Sequence, residues 1–146
     1  MIIIQHTSFA YMDEKFQIKL INGKECIFDI QRKKFVFLTP EEWVRQYFLH
    51  FIIYDKKYPA SMIAVEKQLT IGSLVKRFDI LIYKQANPWM LVECKSEQID
   101  INSQTLSQIL AYNTGLKVQY LTITNGKCVY CFDTEKRCWR DELPNY

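Results

Sequence analysis

The chain has 146 residues, enough for one domain with a single core, and its 49% hydrophobic and 14% aromatic content with four Gly and four Pro excludes a disordered protein. A formal net charge of +3 falls well short of the basic footprint of a dedicated nucleic-acid binder, while leaning slightly towards a polyanionic partner. No apolar run nears the roughly 18 residues of a membrane span, and MIIIQHTS lacks the basic start of a signal peptide, so no membrane association and a cytoplasmic location are expected.

Residues 1–38 read as short antiparallel strands. FQIKLI and ECIFDI flank Asn22-Gly23, a strong two-residue hairpin signal, and KKFVFL adds a further extended run. The first helix signal is Thr39-Pro40-Glu41-Glu42: a capping threonine, a proline at the first helical position and a glutamate three residues after the cap. Beyond it Trp43, Val44, Tyr47, Phe48, Phe51 and Ile52 form an apolar stripe at helical spacing, which predicts a helix ending near Tyr54. Glu42, Arg45 and Gln46 lie together off that stripe.

From Ile63 the pattern turns to period two. MIAVEKQLTIG, KRFDILIY and PWMLVECK predict three strands, the last two joined by KQANP as an antiparallel hairpin. SQTLSQILAYN predicts a helix with Ser103 as cap and Gly115 just past its end. VQYLTIT, a turn at Asn125-Gly126 and KCVYCFD complete the chain's regular elements, and the strand–helix–strand unit predicts that Val118–Thr124 lies parallel to Trp89–Lys95. The expected organisation is one α/β domain: a β extension over 1–38, a core over 39–133 and a C-terminal tail over 134–146. Its five cysteines are an odd number with no secretory context, so free thiols are expected. Cys128 and Cys131 have no second CxxC or suitable His pair, and strand spacing sends them to opposite faces, which reads as ordinary semi-buried cysteines.

Two charged positions interrupt the apolar strands. In LVECK, Glu93 and Lys95 point the same way, on the face of Leu91 and Trp89. Alone they read as a surface ion pair. In RFDILIY, Asp79 sits inside another apolar strand. If Tyr83 pairs with Trp89 across KQANP, Asp79 falls directly opposite Glu93, where Cβ atoms are about 4.5–5.5 Å apart. Two carboxylates that close need a proton or a cation between them. A hard divalent ion such as Mg2+ fits, being held by one or two carboxylates plus waters and phosphate oxygens. Lys95, one pleat along, could orient a water or stabilise charge on a phosphate.

Asp79 followed by Glu93-Cys94-Lys95 resembles the signature of the PD-(D/E)XK nuclease superfamily, and the predicted element order is similar to its restriction-endonuclease-like core: a helix, a three-stranded antiparallel meander, a helix and a parallel strand. The similarity is closer to the N-terminal nuclease domain of type I restriction enzyme R subunits and its small stand-alone relatives. It runs through TPEEWVRQ, KRFDILIY, LVECK, QILAY and LTITNG, about two thirds of the chain. The resemblance implies Asp79 and Glu93 as metal ligands, with the Cys94 backbone carbonyl as a third. It implies Lys95 as the catalytic lysine and Glu42 as the first-helix acid, with Glu41 as the alternative, although Glu42 equally completes a capping box. Gln108 and Tyr112 match a QxxxY motif that supports the site and contacts DNA; four residues apart, they share one helix face, which otherwise reads as solvent-facing. Arg77 and Lys76 are candidate phosphate contacts or plain solvated charges. The implied activity is Mg2+- or Mn2+-dependent hydrolysis of DNA phosphodiester bonds, by endo- or exonuclease action. The rival is a catalytically inactive nucleic-acid-binding or interaction module of a defence system. The sequence departs from the pattern at Ser96-Glu97, where an Ala-Pro-like pair is common, and it has no GxxxxGK[ST] loop. DNA targeting by a motor would then come from another chain or be absent; the expected partners are DNA and either separate restriction or motor subunits or a second copy of the chain.

Overall fold

The computed structural model describes the backbone of residues 2–3, 15–112 and 115–146, and the side chains of residues 15–111 and 115–146. Four strands, β1 (Ile2–Ile3), β2 (Ile18–Ile21), β3 (Lys24–Asp29) and β4 (Lys34–Phe37), precede helix α1 (Pro40–His50). Then come β5 (Ile63–Ile71), β6 (Leu74–Lys84), β7 (Asn87–Cys94), α2 (Ser103–Tyr112), β8 (Tyr120–Thr124), β9 (Cys128–Asp133) and β10 (Cys138–Trp139). The protein is mixed α/β with a β-rich N-terminal region, as expected. Among the described residues, no helix is long and apolar enough to cross a membrane.

β2, β3 and β4 form a small antiparallel sheet, turned at Asn22 and Gly23, whose φ values of 52° and 76° are those of a two-residue left-handed turn. The larger, seven-stranded sheet has the order β1-β9-β8-β7-β6-β5, with β10 also on β9. β5, β6 and β7 are an antiparallel meander, and α2 carries the chain across to β8, which is parallel to β7. The predicted helix–strand–strand–strand–helix–strand order is therefore the order found. Apolar clusters cover both faces of this sheet. On one, Val44, Phe48 and Leu49 of α1, with Ile52 just beyond it, pack on Ile80, Ile82, Met90 and Val92. On the other, Ile109 of α2 packs on Leu81, Leu91, Leu121 and Ile123. Burial on two faces is why these strands read as near-continuous apolar runs, each fully buried side chain contributing about 1.5–3 kcal/mol.

Several boundaries differ from expectation, each for a local reason. The regular part of α1 stops at His50, and the stretch Phe51–Asp55 winds on as a wider π turn. α2 is capped by Asn102, whose Oδ1 accepts the Thr105 N–H at 3.0 Å, and not by Ser103. The β6–β7 turn is the pair Gln85–Ala86, both at positive φ (50° and 66°), instead of the five residues Lys84–Pro88. Tyr83 pairs with Pro88, and a bulge then shifts the register so that Ile82 pairs with Met90. Pro88 has no N–H to give a ladder, which suits it to that irregular position. The bulge also moves Trp89 off the face of Leu91 and into the α1-side cluster. The stretch 134–146, expected as a tail, packs as part of the domain: β10 pairs with β9, and Leu143 is buried in the α1-side cluster. All five cysteines are free, Cys131 in that same cluster and Cys128 half-buried.

Candidate active site

The β6–β7 ladder runs in register from Ile82–Met90 to Ile80–Val92 and stops there. One step further in the same register, Asp79 stands against Glu93. The shorter turn and the bulge offset each other, so the interior register is the one that the sequence predicted through a different loop. Strict alternation breaks at this step: Ile80 belongs to the α1-side cluster, whereas Phe78 packs with the α2-side one. Asp79 thus sits where β6 changes face. Its Oδ2 accepts the Cys94 N–H at 2.8 Å, so a side chain takes over where the backbone ladder ends.

Lys95 lies two residues past Glu93, its Nζ 2.9 Å from Glu93 Oε1. Its own N–H donates to the Thr124 carbonyl at 2.8 Å, which fixes the backbone against β8. Asp79, Glu93 and Lys95 are all partly open, with side chains 22%, 26% and 32% exposed. Gln108 comes down from α2 to line, with Glu93, Lys95, Thr105, Ile109 and Ile123, a cavity of about 30 Å³, enough for a water molecule. The Tyr112 side chain lies outside the described residues. Cys94 buries its thiol among the α1-side core residues and reaches Asp79 through its N–H.

α1 supplies what the sequence hid. Glu42, Arg45 and Gln46, off the apolar stripe, are buried at 7%, 6% and 0% exposure, not solvated. The Glu42 N–H donates to Thr39 Oγ1 at 3.0 Å, but the Glu42 carboxylate does not return to the cap. Its Oε1 accepts from Arg32 Nη2 and from Gln46 Nε2, each at 2.9 Å. Glu42, not the exposed Glu41, is the helix acid that faces this centre. Arg45 reaches Asp79 Oδ1 at 3.5 Å and Glu42 Oε2 at 3.6 Å, and it also pairs with Glu66 Oε1. Glu66, on β5, has the left-handed φ of 54° inside a strand, an unfavourable backbone for a residue with a side chain. Arg77 is 65% exposed and pairs with Glu66 Oε2 at 2.8 Å, so in this structure its partner is a carboxylate of the same group. Glu66 and Arg45 were not singled out as site residues from sequence; Glu66 stands in β5 without any motif to mark it.

Burial raises the pKa of Asp79 above its usual value, and the Glu93 charge raises it further, against the Cys94 N–H and Arg45. Like charges on Asp79 and Glu93 repel each other, which is why the Glu93 charge adds to the effect of burial. The pair therefore favours a positive charge beside it. Among the described residues no three or more His, Cys, Asp or Glu side chains are grouped to hold a metal ion. The donor set suits a hard cation content with two carboxylates and further oxygens, and does not suit zinc.

In this mixed α/β domain Asp79 and Glu93 thus lie on adjacent strands, with Lys95 two residues on and Glu42 linked to Asp79 through Arg45. Residues 40–142 match the family described as the type I restriction enzyme R protein N terminus (HSDR_N), and the chain belongs to that family. The family suggests a restriction-type nuclease domain that interacts with DNA. Neither a curated protein nor a solved structure matches the chain.

Proposed function

We propose that the protein is a metal-dependent DNA nuclease of the PD-(D/E)XK type, with a restriction-endonuclease-like core. The observation that carries this reading is the meeting of Asp79 and Glu93 on adjacent strands with Lys95 on the same segment, in a chain of a restriction-enzyme family. Asp79 and Glu93, with the Cys94 carbonyl, would hold Mg2+ or Mn2+. When bound, the cation supplies Lewis-acid activation of the phosphate and of a water nucleophile. Lys95 holds its ammonium where charge develops on the scissile phosphate, and Gln108 helps to orient a water in the small cavity between β7 and α2. Glu42 completes the acidic centre from the helix side. Tyr112 and Arg77 contribute DNA contacts, Arg77 once a phosphate draws it from Glu66. Partner motor subunits or a second copy of the chain would deliver DNA.

One observation favours a second reading. Asp79 already faces Arg45, and Glu93 already pairs with Lys95, so each carboxylate has a protein counter-charge. A module that binds nucleic acid without cutting would be arranged so. The test is incubation of the wild-type protein and Lys95→Ala with supercoiled, linear and single-stranded DNA, in Mg2+, Mn2+ or EDTA. Metal-dependent cleavage by the wild type alone supports the nuclease; equal cleavage by both removes the mechanism; binding of DNA without any cleavage favours the module.

A further inference from the structure

The small sheet β2–β3–β4 has two unlike faces. On the inner one Ile27 and Asp29 are fully buried, and Asp29 is tied through Arg32 to Glu42 of α1. Strand alternation puts Lys19, Lys24, Cys26, Phe28, Phe35 and Phe37 on the other face. Phe28 and Phe35 are a direct cross-strand pair with ring centroids 5.3 Å apart. Phe37 stands on an edge strand and is 59% exposed. Lys19 holds its ammonium 3.7 Å from the centre of the Phe35 ring, and Lys24 holds its own 5.0 Å from that of Phe37. An antiparallel sheet with one face turned to water ordinarily carries polar side chains there. Cross-strand packing accounts for Phe28 and Phe35, but not for an exposed ring on an edge strand beside the lysines.

Charge gathers on the same unit. Residues 15–38 hold six Lys and Arg against two acids, a net +4 where the entire chain has +3. One of those acids, Asp29, is buried on the inner face and paired with Arg32. Aromatic rings on a sheet, flanked by ammonium groups, meet both demands of a single nucleic-acid strand: π faces for unpaired bases, and cations for the phosphates between them. A duplex keeps its bases stacked on one another and leaves such rings without a partner. We propose that the outer face of β2–β3–β4 binds single-stranded nucleic acid, with bases stacked on Phe37 and Phe35 and phosphates held by Lys24 and Lys19. Without nucleic acid each ammonium lies over its neighbouring ring. An arriving base takes the ring face, and the lysine turns to the adjacent phosphate. The site is separate from the Asp79–Glu93 centre and does not rest on the nuclease reading, although Arg32 and Glu42 fix the sheet that bears it to that centre.

The probes are fluorescein-labelled oligothymidylate and oligouridylate of about 12 nucleotides, and a DNA duplex of the same length. They are titrated with the full chain by fluorescence anisotropy in EDTA, so that no metal-dependent cleavage enters. The expected result is tighter binding of single strands than of the duplex. Phe37→Ala should weaken single-strand binding about tenfold without altering its salt dependence, and Phe37→Trp should keep it. Lys24→Met should instead flatten the slope of log affinity against log salt by about 0.7, the share of one phosphate contact. Phe37 and Lys24 are both exposed, so these variants fold, which melting followed by circular dichroism checks. Wild-type affinity in Phe37→Ala, or an equal loss in Phe37→Ala and Phe37→Trp, overturns the inference. So does an unchanged salt slope in Lys24→Met, or duplex binding as tight as that of the single strands. No binding of either single strand also overturns it and gives the aromatic face to a protein partner. None of these results bears on Asp79, Glu93 or Lys95, so the nuclease reading stands or falls separately, by cleavage of DNA in Mg2+.

Discussion

The strand pair β6–β7 finishes differently at its two ends. At the hairpin end the Gln85–Ala86 turn closes the ladder, and Trp89 packs edge-on against Tyr120 and Tyr146, with ring centroids 5.2 and 5.5 Å apart. Tyr58 lies against both Trp89 and Tyr146, and Lys84 places its ammonium 4.6 Å from the centre of the Trp89 ring. The polar tips are satisfied: the Tyr58 hydroxyl donates to the Pro144 carbonyl and the Tyr146 hydroxyl to that of Tyr83. Burial raises the Tyr58 phenol well above its ordinary pKa, which keeps it a donor. At the other end the ladder stops early, alternation breaks, and the space is given to Asp79, Glu93, Lys95 and the arginines. Aromatic burial with satisfied hydroxyls is worth several kcal/mol, whereas half-buried ion pairs roughly break even with their desolvation. One end therefore holds the strands together, and the other spends that stability on charge.

That contrast is broken most directly at the charged end. Lys95→Ala should lower DNA cleavage by about 10²–10⁴-fold. Its effect on urea unfolding should stay within about 1 kcal/mol, because the lysine is a third exposed and its ion pair contributes little. Unfolding that shifts as far as activity falls would mean that the charged end is structural after all. The converse substitution is Trp89→Ala, expected to cost about 3–5 kcal/mol as a buried aromatic truncation. Its Mn2+ affinity under folding conditions should match the wild type. A parallel loss of Mn2+ binding would show the two ends coupled along β7, and the division of labour would fail.

Asp29 sharpens the comparison from outside the strand pair. It is buried, and its Oδ1 accepts the Gln31 and Arg32 N–H groups at 2.8 and 2.6 Å, while Arg32 Nε pairs with Oδ2 at 2.6 Å. Arg32 then reaches Glu42, so Asp29 ties the small sheet to the charged end. Burial alone would raise its pKa, but the Arg32 backbone and side-chain hydrogen bonds and charge overcome this and hold it below its ordinary 3.8. A carboxylate with a depressed folded pKa contributes stability above its unfolded pKa and loses it as pH falls through the folded value. Asp29→Asn should therefore cost about 2 kcal/mol at neutral pH, with the difference from wild type shrinking as the pH drops below 3.8. Denaturation curves from pH 7 to pH 2 check the sign; a difference that grows on acidification would refute it.

The contrast also governs how much was legible in the sequence. The element order was readable because strands buried on both faces are apolar runs and α1 announces itself through Thr39 and Pro40. Asp79 and Glu93 stood out because a carboxylate in such a run is conspicuous. Their meeting was predicted through a pairing, Tyr83 with Trp89, that does not occur; the left-handed Gln85–Ala86 turn and the bulge at Pro88 carry no clear local signal, yet together they preserve the register. Glu66 and Arg45 stayed hidden because each looks like a solvated charge in its own element. Only the assembly of α1, β5 and β6 makes them neighbours, and no local signal marks the left-handed backbone at Glu66. Leu143 and Tyr146 were hidden likewise, since a short segment after the last strand has no periodicity to declare that it packs.

The smallest expected effect is the most useful for deciding what Glu42 is for. A reciprocal capping box would use Thr39 Oγ1 for the Glu42 N–H and the Glu42 carboxylate for the Thr39 N–H. Here the first bond is made at 3.0 Å, but the Thr39 N–H goes to the Phe37 carbonyl at 3.2 Å and the carboxylate goes to Arg32, Gln46 and Arg45. Thr39→Ala should then cost about 1 kcal/mol of stability through loss of a one-way cap, and leave Mn2+ binding alone. Glu42→Gln should disturb the arginine network without touching the cap. If the two functions are separate, Thr39→Ala and Glu42→Gln add to within about 0.3–0.5 kcal/mol in a double-mutant cycle. A larger coupling would return Glu42 to the helix terminus and leave the charged end with one fewer acid of its own.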